Sequence, residues 1–169
     1  HGNLFGAIHF YKACKAAGVQ PILGMEAYVA MGSRLEKPKR LSDYYHLVLL
    51  ARNNTGYHNL LRLASEAYLS GFHYKPRIDR ELIEKHSEGI TVLSGCPSAE
   101  FHRRIQEGDR EGAMTVAKYY REVFDGHYYL EVQDHGDEKF TRLNPMIADI
   151  GREMGIKVWI FESPSQRVS

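Results

Sequence analysis

The apolar run from Pro21 to Ala30 constrains this chain more than any other stretch, because a carboxylate lies in its middle. The run has the length of a β-strand, a proline opens it, and Gly32 follows it. Side chains alternate between the two faces of a strand, so Glu26 shares its face with apolar neighbours. Burying an ionised carboxylate is costly unless a cation or a set of donors meets it. The pattern therefore predicts either a solvated strand end for Glu26 or a positive partner beside it.

Two further apolar runs carry a potential metal ligand at one end. His46 precedes the run 47–51, and Cys96 follows the run 90–95. Continuous apolar runs are typical of parallel strands that are covered on both faces. Two more strands are predicted over 127–133 and 156–161. Because helical segments separate these strands, we expect an α/β fold with a mainly parallel sheet.

Helical periodicity predicts which faces of the helices are buried. The first helix, with Asn3 as its N-cap, has an apolar stripe of Leu4, Ile8, Tyr11 and Cys14. A second helix over 55–69 should turn inward Tyr57, Leu60, Leu61, Ala64 and Tyr68. Asp79 and Asp109 are predicted to cap two later helices. Another helix is expected over 145–154. Cys14 has a sufficient role as a small core residue, so we assign it no chemistry.

Composition sets limits on the function. The chain has 169 residues and a net charge of +1, so its overall charge gives no argument for nucleic-acid binding. Its two cysteines lie far apart, which favours a reducing, cytoplasmic environment. No apolar segment approaches the roughly 20 residues that span a bilayer, so no membrane association is expected. The basic stretch 31–45 is predicted to be an exposed loop with at most a weak phosphate contact.

Glu26, His46 and Cys96 offer oxygen, nitrogen and sulfur donors, a mixture that suits zinc or another transition metal. Each residue also has a simpler interpretation. A histidine beside an apolar run is commonly a hydrogen-bonded core residue, and a cysteine after a strand is commonly inert. A Ser-His-Asp or Cys-His arrangement is not evident in the sequence. These alternatives stay open on the residue pattern alone.

Several segments in unbroken order resemble one family. They are His1-Gly2-Asn3-Leu4-Phe5-Gly6-Ala7, the run 21–30, the run 46–51, Lys75-Pro76-Arg77-Ile78-Asp79-Arg80-Glu81-Leu82, Leu93-Ser94-Gly95-Cys96, and Leu130-Glu131-Val132-Gln133-Asp134-His135-Gly136. Together they resemble the polymerase and histidinol phosphatase (PHP) domain in the N-terminal part of bacterial DNA polymerase III alpha subunits. The resemblance covers roughly residues 1 to 157.

The resemblance implies a distorted seven-stranded (β/α) barrel, TIM-like in outline, with up to three metal ions at one mouth. By motif, His1 matches the histidine of a Thr-Asp-His-Gly motif, Glu26 the family glutamate, His46 the next histidine and Cys96 the cysteine. The implied metal ligands are therefore His1, Glu26, His46 and Cys96, and the implied cofactors are divalent ions such as zinc or manganese. His135 lies in a family motif but is not counted as a ligand.

The sequence departs from the family pattern at both ends. The family's first strand, with His-x-His and Asp ligands, would precede His1, and the expected final Asp-x-His is absent after Lys157. Four of the nine family ligand positions remain. We therefore expect a partial PHP domain over residues 1–157, a divergent tail over 158–169, and an incomplete barrel. Loss of the first strand should expose the apolar residues Ile22 and Leu47.

The implied function is that of a fragment of a replicative DNA-directed DNA polymerase, a nucleotidyltransferase. Within that parent the domain either performs metal-dependent 3′-5′ exonuclease proofreading or provides structural support. The implied partners are DNA and replisome subunits, including a proofreading exonuclease and the sliding clamp. The fragment alone is expected to be inactive. The alternative is a stand-alone PHP phosphoesterase that acts on a small phosphate ester.

Overall fold

The computed structural model describes residues 1–38, 43–134 and 138–162, and six strands and six helices lie within these ranges. The chain divides into two compact units, His1–Val92 and Leu93–Ser169. The mixed α/β class agrees with the sequence prediction. Six described strands are compatible with the seven-stranded barrel type implied by the resemblance.

The first unit contains seven elements in chain order. They are α1 (Ala7–Ala16), β1 (Gly24–Ala30), β2 (Tyr44–Ala51), α2 (Asn54–Leu69), β3 (Arg77–Ile78), α3 (Arg80–Lys85) and β4 (Ile90–Leu93), the last of which ends in the second unit. The strand order in this unit is β3-β1-β2-β4. The carboxylate of Glu26 is thus on an internal strand of the sheet.

The pairing direction of the first two strands differs from the prediction. β1 and β2 run antiparallel, with Glu26 opposite Val48 and Tyr28 opposite His46. β1 pairs in parallel only with the short strand β3, through Tyr28 and Val29. A continuous apolar run shows that a strand is covered on both faces, but it does not fix the direction of its neighbour. The expected parallel arrangement is therefore wrong for β1 and β2.

The predicted buried stripe of α1 is also wrong. The helix contains no buried residue, and Ile8 is 56% exposed. Asn3 does not cap it; its side-chain oxygen accepts a hydrogen bond from the Phe5 N–H at 3.1 Å, and Gly6 occupies the N-cap position. Cys14 is half-buried and carries a free thiol. Periodicity identified a shared face of the helix, and in this structure that face is largely exposed.

The start of α2 is fixed by its cap and by a close backbone contact. The side chain of Asn53 accepts a hydrogen bond from the Gly56 N–H at 2.9 Å. A Cβ on Gly56 would lie 1.9 Å from the carbonyl oxygen of Gly89, so only glycine fits there. The buried face consists of Gly56, Leu60, Leu63 and Ala67. This face is rotated from the predicted one, since Leu61 and Tyr68 are exposed.

The basic stretch after β1 is not simply an exposed loop. Nη1 of Arg34 lies 3.1 Å from Oδ1 of Asp79 and from Oε2 of Glu81. Arg77 is buried, and its Nη2 donates to the carbonyl oxygens of Arg34 at 3.0 Å and Glu36 at 2.7 Å. Arg34 is therefore engaged in ion pairs with Asp79 and Glu81. Residues 39–42 of the basic stretch lie outside the described ranges, and the weak phosphate contact stays a prediction.

Asp79 caps α3 as predicted, because its Oδ1 accepts from the Leu82 N–H at 3.2 Å. The main buried apolar residues of the first unit are Met25, Ala27, Val29, Leu47, Leu49, Leu60, Leu63, Ile83, Ile90 and Val92. Ile22 is 60% exposed, which agrees with the expectation for that position. Leu47 is only 2% exposed, so the expected exposure of Leu47 is wrong.

The second unit contains α4 (Glu100–Gln106), α5 (Arg110–Val123), β5 (Tyr128–Asp134), α6 (Glu138–Met154) and β6 (Val158–Glu162). Asp109 caps α5 as predicted, and the buried residues of this helix are Ala113, Val116, Ala117 and Tyr120. α6 begins earlier than expected and continues through Pro145. β5 and β6 pair in parallel, with Leu130 opposite Val158. Residues 163–169 of the predicted tail lie outside the described ranges.

Candidate metal centre

The antiparallel pairing of β1 and β2 brings Glu26 and His46 to the same face of the sheet. Val48 lies directly opposite Glu26, and His46 precedes Val48 by two residues. Residues two apart on a strand point to the same face, so Glu26 and His46 are diagonal neighbours. A histidine at the beginning of β2 can meet a residue in the middle of β1 because the two strands run in opposite directions.

Two imidazole groups contact the Glu26 carboxylate. Nδ1 of His46 lies 2.9 Å from Oε1 of Glu26, and Nδ1 of His1 lies 3.6 Å from Oε2. The Glu26 side chain is 30% exposed and that of His46 is 22% exposed, whereas that of His1 is 90% exposed. The carboxylate thus has nitrogen partners on both oxygens and remains accessible to solvent. The sequence predicted either a solvated strand end for Glu26 or a partner beside it, and the structure shows a partner.

Aromatic side chains surround His46. The ring of Tyr28 lies edge-on to the imidazole, with centroids 5.3 Å apart, and the ring of Tyr44 is stacked with it at 5.9 Å. Tyr28 and Tyr44 also contact each other at 4.9 Å. These contacts restrict the imidazole rotamer, which lowers the entropy cost of holding a ligand in one orientation.

Gly2 is a positioning residue that sequence reasoning missed. Its N–H donates a 2.7 Å hydrogen bond to the carbonyl oxygen of Glu26, so the chain beside His1 is attached to β1. Gly2 has a φ of +72°, and a Cβ there would lie 2.8 Å from Cγ of Pro76 and 2.9 Å from Cδ2 of Tyr28. Only glycine fits at this position, because φ is positive and the Cβ of any other residue would overlap two rings. The His1-Gly2 pair is the sequence feature that could have indicated this role of Gly2.

Cys96 lies in the second unit, in the turn that follows β4. Gly95 has a φ of +80°, and the Cys96 carbonyl accepts a 2.8 Å hydrogen bond from the Ala99 N–H. Ser94 joins this turn to β5, since its N–H donates to Tyr129 O at 2.9 Å and its Oγ accepts from Glu131 N at 2.8 Å. Cys96 is half-buried, and its sulfur is not part of a disulfide. The turn that carries the Cys96 sulfur is therefore held by hydrogen bonds to β5 and within the turn itself.

The donors present suit a divalent transition metal. Glu26, His46 and Cys96 carry oxygen, nitrogen and sulfur ligand atoms. Two ligands about 2 Å from a tetrahedral zinc ion lie roughly 3.3 Å apart. Nδ1 of His46 and Nδ1 of His1 lie 2.9 and 3.6 Å from the two carboxylate oxygens of Glu26, so these donors are close enough together to share one ion. The first unit brings His1, Glu26 and His46 together; Cys96 belongs to the second unit, and His135 lies outside the described residues.

A family model described as the PHP domain matches residues 1–135. The chain belongs to the PHP domain family. Members of this family are generally metal-dependent, which agrees with the donor types at the candidate centre. The match includes the segments that carry His1, Glu26, His46 and Cys96.

Curated relatives of this PHP chain are DNA polymerase III alpha subunits. The chain is 42% identical over 159 residues to that of Treponema pallidum and 43% identical over 159 residues to that of Thermus aquaticus. It is 45% identical over 158 residues to that of Borreliella burgdorferi. Each match covers 92% of this chain but only 13–14% of the relative. The chain therefore spans about one seventh of the length of the curated relatives it matches.

Within residues 1–38, 43–134 and 138–162, no helix combines the length and the apolar character that a membrane span needs.

Proposed function

We propose that this PHP chain is part of a DNA polymerase III alpha subunit and contributes a divalent-metal site to it. The contact between Glu26 and His46 carries this proposal, because it places two ligand types at 2.9 Å on neighbouring strands. The similarity to polymerase III alpha subunits over 92% of the chain supports the choice of parent protein. His1, Glu26, His46 and Cys96 are the proposed ligands; Cys96 is included because the family motif has a cysteine at that position.

The proposed chemistry is hydrolysis of a phosphodiester at a DNA 3′ end, as in proofreading. A divalent ion bound at this centre supplies charge stabilisation for a phosphoryl oxygen and lowers the pKa of a water molecule. Glu26 supplies the central carboxylate between two imidazoles. Tyr28 and Tyr44 hold the ring of His46, and the Gly2 N–H holds the chain that carries His1. The centre remains open to substrate, since none of the three side chains in the first unit is fully buried.

In the cell, the proposed setting is the cytoplasmic replisome. DNA is the proposed substrate, and the proposed protein partners are the sliding clamp and a separate proofreading exonuclease. The names of the relatives support a role in DNA synthesis and leave the exonuclease activity to be tested.

This function can be tested by comparing the 169-residue chain with a longer chain that carries the family's other ligand motifs. We expect residues 1–169 alone to show no measurable exonuclease activity and no primer extension. Adding segments that supply the family's His-x-His and Asp-x-His ligands should produce manganese- or zinc-dependent release of 3′-terminal nucleotides. Glu26→Gln should abolish that release, because it removes the carboxylate that both imidazoles contact.

Glu88→Gln is the matched control, since Glu88 is an exposed glutamate that is not one of the proposed ligands. It should leave the rate of nucleotide release unchanged. If the complemented chain binds metal but Glu26→Gln retains full activity, the proposed role of this centre is wrong.

A further inference from the structure

A cleft between α2 and the end of α3 gathers basic side chains away from the candidate metal centre. The cleft has a volume of about 450 Å³ and is lined by His58, Leu61, Arg62, Ser65, Glu66, Lys85 and His86. We refer to it as the α2–α3 cleft. It lies entirely within the first unit and shares no residue with the proposed metal ligands.

The helix geometry explains why these side chains converge. His58, Arg62 and Glu66 follow one another at intervals of four residues, so they form one stripe along α2. Lys85 is the last residue of α3, and His86 is its C-cap. His58, Arg62 and Lys85 are exposed, whereas His86 is 8% exposed. The cleft thus has exposed basic side chains at its rim and a buried imidazole at its base.

The charge balance in the cleft favours an anion. Arg62 and Lys85 are fixed cations, and Glu66 is the one carboxylate among the residues that line the cleft. The Glu66 carboxylate is already engaged, because the Ser70 hydroxyl donates to its Oε2 at 3.1 Å. Protonation of His58 or His86 would add further positive charge. The lining therefore carries a net charge of at least +1 when its fixed ionic groups are charged.

We propose that the α2–α3 cleft binds the oxyanion of a phosphate group. Arg62 offers a planar guanidinium fork that matches phosphate oxygens, and Lys85 offers a second cationic donor. His58 and His86 supply imidazole N–H groups from two different elements. The ligand is either free phosphate or the backbone phosphate of a nucleic acid, since both present the same oxygens.

Binding in the cleft should depend on pH. Burial lowers the pKa of His86, and Lys85 and Arg62 lower it further, whereas Glu66 acts in the opposite direction. His58 is the other titratable group in the same cleft. A bound phosphate places negative charge beside these cations, so it should raise the pKa of His86 and bind more tightly as the pH falls.

Histidine-selective NMR on the 169-residue chain tests this directly. Inorganic phosphate is titrated at constant ionic strength against sodium chloride, up to concentrations on the order of 10 mM. We expect saturable shifts of the His58 and His86 ring signals and a rise in the pKa of His86. Arg62→Gln combined with Lys85→Gln should weaken the binding about tenfold or more, because two charge-assisted donors are lost.

The matched control is Lys12→Gln combined with Lys15→Gln, which removes two exposed cations from α1. It should leave phosphate binding unchanged, and thermal melts should show that both double variants fold. A single-stranded oligonucleotide without terminal phosphates distinguishes free phosphate from the backbone phosphate of a nucleic acid as the ligand. Displacement of inorganic phosphate by the oligonucleotide identifies backbone phosphate, whereas no displacement identifies free phosphate.

The proposal is overturned if phosphate causes no saturable shift beyond that of chloride. It is also overturned if the Arg62 and Lys85 double variant binds phosphate as well as the unaltered chain does. Neither result depends on whether the metal centre is occupied.

Discussion

At the scale of single residues, Glu26 and His46 show how much a sequence reveals about a site. A carboxylate in an apolar run needs a partner, and this physical requirement alone singled out Glu26. The identity of the partner required the pairing register, in which Val48 lies opposite Glu26 and His46 is therefore its diagonal neighbour. His1 became a candidate through the family motif, and Gly2 became visible only when its φ and its ring contacts were known.

His86 leads to a prediction about stability and pH. Burial lowers its pKa, with Lys85 and Arg62 in the same direction and Glu66 opposing, so the folded state holds His86 neutral more strongly than the unfolded state does. This contribution to stability is complete above the ordinary histidine pKa of about 6.5 and is lost as the pH falls toward the folded-state pKa. We expect His86→Gln to reduce the decline in unfolding free energy between about pH 7.5 and pH 5.

Urea unfolding at several pH values measures this effect. His9→Gln is the control, because His9 is exposed on α1 and should leave the pH dependence unaltered. An identical acid-side decline in the unaltered chain and in His86→Gln would show that His86 does not contribute.

At the scale of elements, the sequence predicted local structure better than it predicted how the elements pack against one another. Asp79 and Asp109 cap their helices as expected, because a side-chain cap depends mainly on residues within one turn. Asn3 is the exception, since Gly6 occupies the N-cap position of α1. The stripe of α1 and the direction of β2 were predicted incorrectly. Both depend on which element lies alongside, and a single apolar pattern is compatible with several neighbours.

The contact between Gly56 and Gly89 is a test at this scale. Gly56→Ala would place a Cβ 1.9 Å from the Gly89 carbonyl oxygen, and the backbone must move to relieve this overlap. We expect a loss of about 1–3 kcal/mol in the free energy of unfolding. Urea denaturation of the purified variant gives this value.

Gly6→Ala is a matched control, because Gly6 has a φ of −86° and nothing lies within 4 Å of an added Cβ. It should change stability by less than about 0.5 kcal/mol. Equal effects of the two substitutions would contradict the account of close backbone packing.

At the scale of the whole molecule, the first unit exposes several large apolar side chains, and some of them contact one another. Phe5 is 79% exposed and Leu69 is 80% exposed; Phe5 contacts Tyr68, which in turn stacks on Phe72. Exposed apolar patches of this kind mark contact surfaces. The curated relatives are about seven times longer than the matched region.

We therefore expect the isolated chain to associate as its concentration rises. Phe5→Ser combined with Phe72→Ser should reduce this association, because it removes two of the exposed rings. Sedimentation velocity over a range of concentrations measures it. A monodisperse monomer with a single cooperative melt would contradict this expectation.

The central claim is that Glu26 and His46 hold a divalent metal ion. Equilibrium dialysis of the 169-residue chain against zinc, followed by elemental analysis, tests it most directly. We expect at most one weakly held ion per chain, because His1 is 90% exposed and must be ordered on binding. Glu26→Gln and His46→Gln should each lower the affinity at least about tenfold, whereas Glu88→Gln and His9→Gln should leave it unchanged. Zinc binding that is unaffected by Glu26→Gln and His46→Gln, or tight binding of several ions, would contradict the assignment.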